Sequence, residues 1–100
     1  VKEREENQLG IVTPSETEPY IEYGSFRLFL PGNQEQELEW HVDFEDRLIT
    51  IVEPGGWKIQ FDNQVPRLLI QGEEIFINKL TWHRIISGDS NLLIKIKKMV

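Results

Sequence analysis

The sequence has no cysteine among its 100 residues, which removes disulfide frameworks and thiolate chemistry from consideration. Stability has to come from packing, and the absence of thiols fits a reducing compartment. Basic residues are also scarce. Lys and Arg number 11 against 17 Asp and Glu, for a formal charge of −6. A nucleic-acid partner would need cations to neutralise phosphates, and an anionic membrane surface would need them too. Long apolar runs are missing: none approaches the ~18 residues that cross a bilayer. The polar opening from Val1 to Gln8 lacks the apolar centre of a secretory signal. The expectation is a cytoplasmic domain with no nucleic-acid and no membrane partner. Catalytic signatures are lacking as well. No Ser stands in a Gly-x-Ser-x-Gly elbow, and no Gly-rich phosphate loop opens a helix.

Helical periodicity is absent too. No stretch repeats apolar residues at i, i+3, i+4 and i+7 for a dozen positions. What the chain does hold is 39% hydrophobic residues with three Trp, enough for one core in one domain. Residues 1–19 read as a polar arm around the single apolar pair Ile11–Val12, and residues 20–100 as the folded domain. From Tyr20 onward, short runs alternate with Pro31-Gly32-Asn33, Pro54-Gly55-Gly56, Asp62-Asn63, Gln71-Gly72 and Ser87-Gly88-Asp89. Many of the runs have period two. Phe26, Leu28 and Leu30 form one row; Leu38, Trp40, Val42 and Phe44 a second; Trp57, Ile59 and Phe61 a third; Leu92, Ile94 and Ile96 a fourth. Alternation of this kind marks strands with one apolar face. Arg47–Val52, Arg67–Ile70, Glu74–Ile77 and Trp82–Ile86 complete eight or nine strands. The fold class expected is all-β: a jelly-roll, or double-stranded β-helix, barrel. Pro54-Gly55-Gly56 reads as a hairpin turn, and Lys95, Lys97 and Lys98 as charges guarding an edge strand.

Ionisable residues concentrate on the strand Leu38–Glu45. Its second face carries Glu39, His41, Asp43 and Glu45. The ordinary reading of a half-exposed strand puts that row in water and the apolar row, Trp40 included, in the core. The alternative turns the polar row into a cavity. His41 and His83 are the only histidines. His41-x-Asp43 places two donors on one face, and His83 would complete the two-His, one-carboxylate set used by non-haem iron and related ions. Glu35, Glu37 and Glu39 with Glu45 and Asp46 read as a solvated acidic edge.

Gly72 to His83 resembles the second conserved stretch of the cupin superfamily: Gly, five residues, Pro-x-Gly, two residues, His. Gly72 and His83 hold the outer positions, while Asn78 stands at the Pro and Leu80 at the second Gly. His41-Val42-Asp43 and the run Asp46–Gly56 resemble the first stretch, with Asp43 in place of a second His. Arg47 falls near the Glu position, where a cation cannot bind metal. A second register instead pairs Glu39 with His41 and makes Glu45 the distal carboxylate.

The resemblance implies a small cupin-like barrel. The incomplete ligand set and Arg47 favour a small-molecule binding or interaction module without a metal cofactor, with His41, Asp43, Glu45, Arg47 and His83 as ligand-binding residues. An inward Arg47 would favour a carboxylate or another anion. The alternative is a metal-dependent enzyme of the dioxygenase or isomerase kind. It would hold Fe, Mn, Ni or Zn on His41, Asp43 and His83, with Glu45 as base or fourth ligand. The resemblance also implies a homodimer, for which Tyr20 and Tyr23 are interface candidates.

Overall fold

A computed structural model describes residues 20–32 and 39–99. The arm 1–19 with Ile11–Val12, the residues Asn33, Glu35, Glu37 and Leu38, and Val100 lie outside the described residues. Among those described, the secondary structure is all strand: β1 (Tyr20–Tyr23), β2 (Phe26–Phe29), β3 (Asp46–Glu53), β4 (Lys58–Phe61), β5 (Arg67–Leu68), β6 (Glu74–Ile77), β7 (His83–Ile86) and β8 (Leu92–Met99). They form a five-stranded sheet in the order β1-β2-β8-β3-β6 and a three-stranded sheet in the order β5-β4-β7. All ladders are antiparallel. The jelly-roll expected from the period-two rows is therefore the fold.

The core lies between the sheets. From the large sheet come Phe29, Ile49, Ile51, Ile75, Ile77, Leu92, Ile94 and Ile96; Trp57, Ile59 and Leu69 come from β4, β5 and their flanks. Residues opposed in an antiparallel ladder share a face. Ile49↔Ile96 and Ile51↔Ile94 in one ladder, with Ile49↔Ile75 in the next, thus lay a continuous isoleucine floor. The β-branched side chains suit the pleated surface. Each contributes about 1.5–3 kcal/mol through burial. Trp57, 1% exposed, fills the centre. Its polar end is satisfied because Nε1–H donates to the carbonyl of Ser90 at 2.6 Å.

Several expectations change. In β2 the buried residue is Phe29, opposite Leu92, so Phe26 and Leu28 lie on the outer face. Phe29 wins because its ring meets both Tyr20 and Trp57, at centroid distances of 5.2 and 5.7 Å. Tyr20 accordingly packs on the core, whereas Tyr23 is exposed. Strand β8 is no edge: β2 and β3 flank it, and Lys95 and Lys97 line its solvent face. The Pro54-Gly55-Gly56 turn is closed by Trp57 N–H to Pro54 O at 2.9 Å, but it carries the chain from one sheet to the other instead of joining paired strands. Gly55 sits there at φ 56, in the left-handed region that favours glycine.

Candidate metal centre

The segment Glu39–Glu45 is not the long strand its alternation suggests. It touches the small sheet through one isolated bridge, His41↔His83. The two residues exchange both backbone bonds, His41 N–H to His83 O and His83 N–H to His41 O, each 3.0 Å. Leu80 N–H also donates to Asp43 O at 2.7 Å. Opposed residues share a face, so His41 and His83 lie side by side with ring centroids 4.3 Å apart.

Trp40 and Phe44 of the apolar row are turned outward, whereas Val42 is half-buried. Trp40 is 39% exposed and Phe44 76%, which reverses the expectation that they are core. Trp40 instead lies against Arg84, whose guanidinium carbon is 5.1 Å from the ring centroid. The alternation told which residues share a face but not which face turns in. His41, itself exposed, and the half-buried Asp43 are turned towards His83.

His83, on β7, is 4% exposed and packs beside Phe61, its ladder partner on β4. Its Nδ1 lies 2.7 Å from Thr81 O, and Nδ1 of His41 lies 3.0 Å from Glu39 O. A carbonyl oxygen only accepts, so Nδ1 carries the proton in both rings. In the neutral rings, Nε2 is then left as a lone-pair donor. Metal-binding histidines are commonly fixed in this way. Asp43 presents Oδ2 to His83 Nε2 at 3.4 Å. One donor atom from each of His41, Asp43 and His83 falls within 4.8 Å of the others.

Arg47 and Glu45 stand behind this group. Arg47 Nη1 is 3.3 Å from Asp43 Oδ1. Its Nε and Nη2 both reach Glu45 Oε2 at 2.7 Å. Glu45 thus holds the arginine and is not among the converging donors. Glu39 contributes its carbonyl, so the grouping follows the register that pairs His41 with Asp43. Burial raises the Asp43 pKa, but the contact with His83 and the Arg47 charge outweigh it, and the group lies below its ordinary value. His41 is also lowered. Loss of water around the ring is the main cause, with the Glu39 carbonyl acting against it. The carbonyls of Glu39 and Thr81, like the amide of Leu80, carry no side-chain signal in the sequence, so only the structure reveals them.

Solved structures follow the same chain path with little sequence likeness. A protein from Neisseria meningitidis superposes with a TM-score of 0.57 at 20% identity, with 100% of each chain covered. A cupin-2 domain protein from Shewanella frigidimarina gives 0.54 at 20% identity, over 97% of this chain and 94% of that one. The iron(II) form of HppE gives 0.63 at 10% identity, over 88% of this chain and 55% of that one.

The fold is that of the cupins.

No family model and no curated protein matches the sequence. On the cupin frame, Gly72 has φ 86 and makes the turn before β6. Leu80, at the position where the stretch it resembles has its second glycine, has φ 63, in the left-handed region that favours glycine.

Proposed function

We propose that this cupin binds one divalent transition metal on His41, Asp43 and His83. The supporting observation is the convergence of two imidazoles and one carboxylate within 4.8 Å, both rings being oriented by carbonyl acceptors. Two His and one carboxylate with open positions suit non-haem iron(II) and related ions. The fold shared with iron(II) HppE makes iron the first metal to try. When bound, such an ion supplies Lewis-acid or redox chemistry at the positions the protein leaves open. The chain's own residues do the rest. Thr81 O and Glu39 O fix the tautomers, Phe61 shields one side of His83, and Arg47 adds to the contacts that hold the Asp43 carboxyl below its ordinary value.

A small anionic substrate would suit the open positions. With both imidazoles coordinating as neutral rings, a divalent ion together with Asp43, Glu45 and Arg47 would leave the site net positive. The reading is tested by metal analysis of protein purified without chelators, alongside His41→Ala and His83→Ala. Stoichiometric metal in the parent, lost in both variants, is the expected result. A metal-free parent that also refuses added iron, cobalt and zinc would overturn it. His83 and Asp43 would then be a polar contact in the wall of a small-molecule binding module.

A further inference from the structure

Among the described residues, Arg47 is the cation in contact with the candidate centre, and the metal reading leaves its geometry unexplained. It projects from β3, opposite Ile77 on one side and Lys98 on the other. Its side chain is 16% exposed, that of Asp43 10%. The guanidinium is divided between two carboxylates. Nε and Nη2 converge on a single oxygen, Oε2 of Glu45, both at 2.7 Å. That pins the planar group and leaves Nη1 3.3 Å from Oδ1 of Asp43 as an ion pair. Asp43 is divided in turn: Oδ1 meets the arginine, while Oδ2 faces His83 Nε2 at 3.4 Å.

We infer that Arg47 is a positioning residue that restricts Asp43 to a single metal-facing oxygen, Oδ2. The inference rests on the metal reading and adds to it the coordination mode of the carboxylate. A free carboxylate can bind a metal through one oxygen or through two. With Oδ1 held by a guanidinium that Glu45 holds in its turn, the two-oxygen mode would require breaking that contact. The consequence is one more coordination position left open for an exogenous ligand. A second consequence is electrostatic: a fixed positive charge behind the carboxylate weakens its attraction for the cation. Arginine suits this task better than lysine, because its fork engages two carboxylates in fixed directions.

The test uses cobalt(II) as probe on the full chain, comparing the parent with Arg47→Met and Glu45→Ala. Cobalt reports coordination number through the intensity and position of its visible bands, which a merely structural role for Arg47 would leave unmoved. Removing the guanidinium frees Oδ1. The expected result for Arg47→Met is a shift to weaker bands of higher coordination number, with about tenfold tighter cobalt binding. Glu45→Ala releases the pinned fork and shifts the spectrum the same way by less. It also decides the matter if Arg47→Met does not fold. Parent-like spectra and affinities in the folded variants would overturn the positioning role. That failure is distinct from failure of the metal reading, in which the parent itself takes up no cobalt, or His83→Ala takes up as much as the parent; either of those overturns both.

Discussion

His41 and His83 form a hydrogen-bonded antiparallel pair, each giving its amide to the other's carbonyl at 3.0 Å. This single pairing brings together two imidazoles that lie far apart in the chain. Substituting either ring leaves the backbone bonds in place. Both His41→Ala and His83→Ala should therefore lower divalent-metal affinity at least tenfold, measured by titration with cobalt or zinc. His41→Ala should leave the melting temperature of the metal-free protein close to the parent's. His83→Ala should cost about 1–3 kcal/mol, because it removes a buried ring bonded to Thr81 O. Unchanged metal affinity in both variants would dissolve the centre.

Leu80 has a left-handed backbone at φ 63 while its side chain is largely exposed. A side chain in this region costs about 1–2 kcal/mol. The extra freedom of glycine in the unfolded chain returns about 0.5–1 kcal/mol of that. Leu80→Gly should accordingly stabilise the domain by about 0.5–1 kcal/mol, and Leu80→Ala should not. Urea denaturation of both variants checks this, and equal stabilities would remove the backbone argument.

Gly88 passes against the sheet-crossing turn so closely that a Cβ there would overlap the Gly55 carbonyl, the Gly56 carbonyl carbon and the Trp57 nitrogen. All three are backbone atoms, so no rotamer change relieves the clash. Gly88→Ala should destabilise the protein by about 2 kcal/mol or more and disturb the packing of Trp57, read out as altered near-ultraviolet circular dichroism. A parent-like melting temperature would show that the two loops have room to separate.

Glu73 gives the fold a pH dependence of known sign. Burial raises its pKa, but the bond from Arg67, the amide of Ile70 and the arginine charge outweigh it, so the folded value lies below the ordinary one. A carboxyl lowered on folding stabilises the native state above its unfolded pKa, and that contribution disappears as pH falls through the folded value. Glu73→Gln should melt below the parent at neutral pH. The difference should close in acid. Arg67 is largely exposed, so added salt should narrow the gap. A gap independent of pH would refute the assignment.

Much of the fold was legible in the sequence, for a physical reason. Trp57, Ile59, Ile94 and Ile96 alternate with polar residues, and a strand has only two faces. Where the intervening residues are charged, as in β8, the buried face is obvious. In β2 apolar residues occupy both faces, and Phe29 goes inward because of Tyr20 on the neighbouring strand and Trp57 from beside the other sheet. The segment 39–45 misled for a related reason. Its alternation was correctly read, but which side chains meet the small sheet is fixed by the bond pairing with His83, and the polar face supplies two of the three donors. His41, Asp43 and His83 could be nominated from residue type and spacing. Glu45 holding Arg47, and Arg47 holding Asp43, depend on side-chain directions that no spacing encodes.

The one bridge that joins residues 39–45 to the small sheet makes a seam, held by the paired histidine amides and the Leu80–Asp43 bond. An ion taking ligands from both sides would act as a clasp. Filling the centre would slow hydrogen exchange at the amides of His41, Leu80 and His83 more than anywhere in the isoleucine floor. The barrel would thus report occupancy through the rate at which its seam opens, with no substrate needed.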